Sequence, residues 1–372
     1  MKIVLIGGHL SPALCVLEAL PKTAKVLFIG RKYALEGDNA LSLEYKTMNS
    51  LRVPFVALNT GRLQRKLTKH TMSSFFKLPF GIIKSFITLV KFKPDAVVGF
   101  GGYVSIPVAL SAYILRIPIV IHEQTMEAGF ANRFLGRLAA KICISWDSSR
   151  KYFPKNKTVL TGNPVRKFQI SNFKFQIDKR KPLIYITGGS LGSHFINSLV
   201  EGCVGQLLER YNLIHQTGDS QEFQDFARLE RLRNSLPETE KERYILRKFI
   251  DPKDVGGILR ETSLVVSRSG MNIVTELLHF EKPSLLIPLP FSQNNEQLKN
   301  ARFLEKLGLG KVFQQSEIDP KKLYQAIDLM FRDINNYRLD KKELKNFLRK
   351  NAAQNIIDVI NYVRKSKKAK IF

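Results

Sequence analysis

Residues 2–20 read KIVLIGGHLSPALCVLEAL, and residues 182–200 read PLIYITGGSLGSHFINSLV. Each is a short β-branched run, a Gly-Gly turn and an apolar segment of helix length. The alternation continues outward from both. AKVLFIG, PFVAL, DAVVGFGG, PIVIHEQ and KICISW follow the first, and NLIHQTG, YILRKF, LVVSRSG and PSLLIPL follow the second. Short strands separated by helix-length segments imply parallel sheet with crossover helices. The expected fold class is α/β, with two Rossmann-like domains facing each other across a cleft.

The length supports that division, because 372 residues exceed what one core comfortably organises. The first domain is expected over 1–160 and the second over 161–349. The polar, turn-rich stretch SSRKYFPKNKTVLTGNPVRK (148–167) is the expected hinge, and a helix at about 350–365 is expected to pack back on the first domain. A lysine-rich tail, SKKAKIF, is expected to fray. A composition of 44% hydrophobic and 24% charged residues is that of a globular chain. Cys15, Cys143 and Cys203 are odd in number and lack metal-type spacing, which points to a reduced, cytoplasmic protein. No signal peptide is expected, since Met1-Lys2 leads straight into a strand. The most apolar long run, from Val104 to His122, contains Pro107, Arg116 and Pro118 and reads as helix then strand, not as a membrane span.

A net charge of +27 and a pI near 10.0 call for an anionic partner, whether nucleic acid, an anionic bilayer or a phosphorylated substrate. General lysine richness is the plain alternative. From Arg62 to Lys93 there are eight Lys or Arg and no acid, interleaved with FFKLPFGIIKSFITLVKF. Lys77, Lys84 and Lys91 fall on one helical stripe, allowing for a break at Pro79–Gly81. Phe75, Phe76, Phe80, Ile82, Ile83, Phe86, Ile87 and Val90 make an apolar surface wider than packing on a sheet requires. Such a helix fits a surface resting on anionic lipid, or else an ordinary packed helix with a solvated lysine edge.

Three glycine turns carry the chemical reading: Gly7-Gly8, Gly101-Gly102, and Gly188-Gly189 with Gly192. A strand–Gly-Gly–helix turn points backbone N–H groups and a helix N-terminus at whatever lies beyond the sheet, an arrangement that receives phosphate. GGSLGS is not a dinucleotide fingerprint, and Arg31-Lys32 and His215-Gln216 stand where a ribose-binding acid would be needed. There is no P-loop and no Asp-x-Asp. A diphosphate leaving group would then be stabilised by helix dipoles and basic side chains, with no metal and no cofactor. In RSGMNIVTELLHFEKPSLLIP (268–288), Glu276 sits on the second turn of a helix, close to the sheet edge, where a carboxylate can accept bonds from vicinal ribose hydroxyls. Glu296 and Gln297 head a further helix, placed to read sugar hydroxyls.

Taken in order, GGH…PAL (7–14), GFGGYVSIP (99–107), HEQ…AGFAN (122–132), GNPVR (162–166), GGSLGS (188–193), HQTG (215–218), RSGMNIVTE (268–276) and EQLKNA (296–301) resemble the MurG family of glycosyltransferase family 28. The resemblance runs from about residue 3 to 312 and implies the GT-B fold. It also implies inverting, metal-independent transfer of N-acetylglucosamine from UDP-GlcNAc to lipid I, undecaprenyl-pyrophosphoryl-MurNAc-pentapeptide, giving lipid II for peptidoglycan. On that pattern Arg166, Ser190, Ile250, Met271, Glu276 and Gln297 would bind the donor. Gly7, Gly8, Gly101, Gly102, Tyr103 and Thr125 would bind the acceptor, with His9 or Glu123 as general base. Phe75, Phe76, Phe80, Ile83, Lys84, Phe86 and Lys91 would dock the enzyme as a peripheral protein on the cytoplasmic face of the membrane, where cell-wall synthesis or division proteins could be partners. Nucleic acid would not be one.

The departures from the pattern are a shortened first loop (IGGH), Thr125 for Asn, Leu191 for Gln and Glu296 for His. Other readings are a GT-B enzyme acting on another membrane lipid such as a diacylglycerol, a UDP-GlcNAc 2-epimerase, and a non-enzymatic basic protein.

Overall fold

A computed structural model describes residues 1–33, 41–58, 69–165, 178–189, 191–220, 222–339, 347–349 and 351–369; of residues 69–77, 252, 253, 293 and 367–369 it describes the backbone alone. The chain divides into two compact units, one of residues 1–166 with 349–372 and the other of residues 167–348.

The first unit holds a parallel sheet of strands β1 (Lys2–Ile6), β2 (Lys25–Gly30), β3 (Phe55–Ala57), β4 (Ala96–Gly99), β5 (Ile119–Glu123), β6 (Lys141–Ile144) and β7 (Thr158–Leu160), in the order β3-β2-β1-β4-β5-β6-β7. The helices are α1 (Leu10–Ala19), α2 (Leu43–Ser50), α3 (Lys69–Phe92), α4 (Ser105–Ile114) and α5 (Phe130–Leu135). A parallel sheet is covered on both faces, so its strands read as unbroken apolar runs. Strand β1 shows how the faces are sorted. Val4 and Ile6 join Leu89 of α3 and Val108, Ala109 and Ala112 of α4 on one side. Ile3 and Leu5 point the other way, to Ala13, Leu14 and Val16 of α1 and to Ile356, Ile357 and Ile360 of the C-terminal helix (Ala352–Ala369). Asn355 ties that helix down by donating from Nδ2 to the Thr161 carbonyl at 3.1 Å.

The second unit repeats the plan with β8 (Leu183–Thr187), β9 (Asn212–Gln216), β10 (Tyr244–Arg247), β11 (Leu264–Ser267), β12 (Ser284–Leu286) and β13 (Gly310–Val312), ordered β10-β9-β8-β11-β12-β13 and parallel throughout. The helices used below are α6 (His194–Glu201), α7 (Val204–Arg210), α8 (Asp225–Ser235), α9 (Glu238–Lys241), α10 (Pro252–Glu261), α11 (Met271–His279), α12 (Glu296–Lys306) and α13 (Pro320–Arg332). The chain is α/β, as the sequence indicates.

Several local expectations differ. The stretch 148–167, read as a hinge, is built into the first unit as far as β7, where Thr158 and Leu160 pair with Ile142 and Ile144. A β-branched KTVL run inside polar surroundings makes an edge strand. Helix α3 runs through Pro79 without the expected break. The C-terminal helix continues to Ala369, beyond the point where fraying was expected. Strand β13 was not anticipated, because GKV is too short to stand out.

Candidate active site

In each sheet the strand order reverses direction once, between β1 and β4 and between β8 and β11. Ligands of open α/β sheets bind at the carboxyl ends of the strands flanking such a switch point. Four glycine-containing turns occupy these points, three of them singled out above. Gly7-Gly8 follows β1 and Gly101-Gly102 follows β4, while Gly188-Gly189 follows β8 and Ser269-Gly270 follows β11.

In the first unit the two turns are pressed together. A Cβ on Gly8 would lie 2.3 Å from the Gly101 carbonyl oxygen, and one on Gly102 would lie 3.1 Å from the Gly8 Cα. The first turn has its backbone donors occupied: Gly7 N–H donates to the Ile29 carbonyl at 2.8 Å, Gly8 N–H to Glu44 Oε1 at 2.8 Å and His9 N–H to the Phe100 carbonyl at 3.1 Å. The second turn differs, since the N–H groups of Gly102 and Tyr103 have no acceptor among the described residues. The expectation that Gly7 and Gly8 offer N–H groups to an acceptor diphosphate is therefore corrected. Their N–H groups already have partners, and the donors that remain are on the side of Gly101, Gly102 and Tyr103.

His9 occupies the N-cap position of α1 without a side-chain capping bond and stands beside this junction; a Cβ on Gly101 would be 3.3 Å from its Cδ2. Burial lowers the His9 pKa below its usual value, against the opposing negative charge of Glu123, and so favours the neutral imidazole. Glu123, at the end of β5, is buried and fully engaged. Its Oε1 accepts from the Thr125 N–H at 3.0 Å and the Thr125 hydroxyl at 2.6 Å, and its Oε2 accepts from the Gly129 N–H and Asn132 Nδ2, both at 3.0 Å. A carboxylate that accepts three N–H groups and shares the single Thr125 hydroxyl proton with the Glu127 carbonyl organises the 124–132 loop and has little free lone-pair capacity for taking a proton. Thr125 is buried in the same network rather than turned outward. Asn132 Oδ1, Gln124 Oε1 and His122 Nδ1 are buried nearby with no hydrogen-bond partner among the described residues. Burial pushes the His122 pKa down to about 3, so this ring stays neutral.

The second unit's turn is held by backbone packing. Gly192, at φ +76°, lies against the next loop so closely that a Cβ would come within 1.9 Å of the Thr217 carbonyl oxygen. Gly189 N–H donates to Thr187 Oγ1 at 3.0 Å, and its carbonyl accepts from Gln216 Nε2 at 3.0 Å. The start of α6 is anchored by His194, whose Nδ1 lies 2.8 Å from Asp225 Oδ1. Asn197 donates from Nδ2 to Asp225 Oδ2 at 2.8 Å and bonds His215 Nε2 through Oδ1 at 3.0 Å. Burial pulls the Asp225 pKa up, but the hydrogen bonds from Asn197, His194 and Arg228 outweigh it and the result lies below normal. The N–H groups of Leu191 and Ser193 have no acceptor among the described residues.

Glu276 is half-buried on α11, and its charge helps burial to raise the Tyr185 pKa. Met271 begins α11 and is buried, and Ile250, also buried, follows β10. Gln297 heads α12, where its Oε1 accepts from the Leu289 N–H at 3.0 Å and its carbonyl accepts from Ser269 Oγ at 2.7 Å. Met271 and Gln297 stand at helix starts and Ile250 in the loop after β10, while Glu276 lies on the second turn of α11. Arg166 and Ser190 lie outside the described residues.

On α3, Phe80, Ile83, Lys84, Ile87, Val90 and Lys91 are exposed and Phe86 is half-buried; the side chains of Phe75 and Phe76 lie outside the described residues. Ser111 Oγ of α4 donates to the Ile82 carbonyl at 3.0 Å, which fixes α4 behind this stripe. No described helix is long and apolar enough to cross a membrane. Among the residues that sequence reading missed, Glu44 and Asn132 stand out. The only signal for Glu44 was an N-cap Ser42 with an acid two residues on, which any helix start can show.

Comparison with known proteins converges on one group. The family model for the glycosyltransferase family 28 N-terminal domain matches residues 6–144, and that for the C-terminal domain of the same family matches residues 183–358. A UDP-N-acetylglucosamine--N-acetylmuramyl-(pentapeptide) pyrophosphoryl-undecaprenol N-acetylglucosamine transferase from Clostridium kluyveri is 30% identical, over 98% of this chain and 99% of that protein. The crystal structure of Acinetobacter baumannii MurG superposes with a TM-score of 0.69 at 28% identity, covering 97% of this chain and 99% of that one. A UDP-GlcNAc 2-epimerase from Neisseria meningitidis, bound to UDP-GlcNAc, shares the fold with a TM-score of 0.65 at 14% identity, over 97% of this chain and 100% of that one.

Proposed function

Because the chain belongs to the MurG family of glycosyltransferase family 28, we propose that it transfers N-acetylglucosamine from UDP-GlcNAc to lipid I, forming lipid II, with inversion and without a metal. The observation that carries the reading is the near-full-length match to a transferase of that name, combined with a histidine held neutral at the first unit's switch point.

On this reading the acceptor hydroxyl gives its proton to the free ring nitrogen of His9 as its oxygen attacks the anomeric carbon from the face opposite UDP. The bond from that carbon to the UDP oxygen breaks, and the electron pair leaves with the diphosphate. The N–H groups of Leu191 and Ser193, in the turn leading into α6, would be the donors that stabilise that developing charge. The absence of an Asp-x-Asp pair from the sequence supports metal-independence. Glu276 receives the ribose hydroxyls and Gln297 the sugar. Glu123 serves as the fixed negative charge that favours the imidazolium formed in the reaction, not as the base itself. The basic, apolar stripe of α3 supports docking on an anionic membrane surface, where a lipid-borne acceptor resides.

The decisive experiment is UDP release from UDP-GlcNAc with and without a lipid I analogue, each repeated in EDTA. Release that needs the analogue and survives EDTA is the expected outcome. Release only with another lipid would move the acceptor assignment, and conversion of UDP-GlcNAc to its 2-epimer would replace the transferase reading.

A further inference from the structure

The first glycine turn is built around a carboxylate of the protein itself. Glu44 lies in the first turn of α2, after Ser42 has capped that helix by accepting from the Tyr45 N–H at 3.1 Å and donating to the Arg31 carbonyl at 2.5 Å. The Glu44 side chain is buried, at 7% exposure. Oε1 accepts from the Gly8 N–H at 2.8 Å and Oε2 from the Arg31 N–H at 3.2 Å. The turns after β1 and β2 thus converge on one anion.

The glycines record the same fact independently. A Cβ on Gly7 would fall 2.6 Å from Glu44 Oε2, and one on Gly30 would fall 2.7 Å from the same oxygen. Gly7 and Gly30 are accordingly glycines because a carboxylate fills the space beside them. Burial pushes the Glu44 carboxyl up, against the downward pull of the Arg31 and Gly8 N–H groups and the Arg31 charge.

We propose that Glu44 is the resident anion of the first glycine turn: a positioning residue that takes the place a phosphate would fill and fixes the backbone carrying His9. A substrate diphosphate is then received at the second turn, Gly101–Tyr103. This rests on the reading of His9 as base toward a lipid-linked diphosphate. It assigns the two turns different work, the first aiming the base and the second binding the anion.

The test uses the full chain and the variants Glu44→Gln, which keeps the shape and removes the charge, and Glu44→Asp, which keeps the charge and shortens the reach. With a lipid I analogue, Glu44→Gln is expected to lose about tenfold or more in kcat while the KM for UDP-GlcNAc stays within about twofold, as befits an effect confined to the transition state. Glu44→Asp should recover part of the kcat. Inorganic pyrophosphate titrated calorimetrically into protein saturated with UDP, which blocks the donor unit, should bind Glu44→Gln about tenfold more tightly than wild type, because a neighbouring negative charge has been removed. It should bind Glu44→Asp no more tightly than wild type. Unchanged kcat together with unchanged pyrophosphate affinity in Glu44→Gln would reduce Glu44 to packing and overturn the proposal. If no acceptor supports UDP release at all, the functional reading fails, yet the pyrophosphate titration still decides whether Glu44 holds the first turn against anions.

Discussion

At the switch point of the first unit, the N–H groups of Gly7, Gly8 and His9 are bound by Ile29, Glu44 and Phe100, and a buried carboxylate fills the turn. At that of the second, Gly192 packs onto the Thr217–Gly218 backbone, and Leu191 and Ser193 keep N–H groups that bind nothing in the described protein. The sequence grammar is the same, strand then Gly-Gly then helix. Glycine is required in one case because an oxygen of Glu44 approaches Gly7, and in the other because another main chain approaches Gly192. A glycine turn therefore reports a close approach and leaves open what approaches. The first turn approaches its own anion, and the second is braced by the Thr217–Gly218 backbone.

That contrast is broken most directly at His9. If the first unit supplies the base and the second the leaving-group site, His9→Ala should lower kcat by about 10²–10⁴-fold, the range for losing a general base, and leave UDP affinity unchanged. Transfer at near wild-type kcat would mean that the first switch point does no chemistry. The next largest effect concerns how the second turn is held. Gly192→Ala should destabilise the second unit by about 3 kcal/mol in denaturant unfolding, since it combines a severe clash with strain at φ +76°. Gly189→Ala has nothing within 4 Å of its new Cβ and should cost only the backbone strain, about 1–2 kcal/mol. Equal costs would show that backbone packing does not brace this turn. Glu276→Ala should then raise the KM for UDP-GlcNAc about tenfold to hundredfold, the weight of a charge-assisted hydrogen bond to a ligand, without moving the affinity for a lipid I analogue. An effect on the acceptor instead would erase the division of labour between the units.

The parts legible in sequence are those fixed by local pattern. Runs such as KIVLIGG and PLIYITGG declare strands because both faces of a parallel sheet are buried, and the glycines mark where the chain must turn. Glu276 and Gln297 are legible from their places near the starts of helices that follow strands, whereas His9 and Glu123 enter through the family resemblance of the motifs GGH and HEQ. Glu44 is not legible, because 36 residues and a whole strand separate it from the Gly8 N–H it receives. Its composition signal is that of any acid at a helix start. Nor could the sequence show that Glu123 is saturated: its donors Gly129 and Asn132 come from the start of α5, and only the folded loop brings them to one carboxylate. Pattern locates a site, and tertiary hydrogen bonding decides which of its groups are free to act.

The smallest effect expected is also the most specific, because it separates a charge from a base. His9 acts in its neutral form, so kcat/KM must fall as pH drops through its free-enzyme pKa, which burial sets below the usual 6.5. The negative charge of Glu123 stabilises the protonated ring and holds that pKa higher than burial alone would. Glu123→Gln removes this support, so the acid limb of the kcat/KM profile should move to lower pH, by less than about one unit for a charge acting at a distance through protein. The variant will lose stability as well, since an amide NH2 cannot accept from the N–H groups that the carboxylate holds. That loss scales the amount of active enzyme and does not move the position of a limb, so shape and amplitude are read separately. Were Glu123 itself the base, the substitution would abolish the limb along with the activity. A limb displaced downward with turnover retained leaves the proton on His9 and gives Glu123 the role its hydrogen bonds describe, a fixed charge that the loop is folded around.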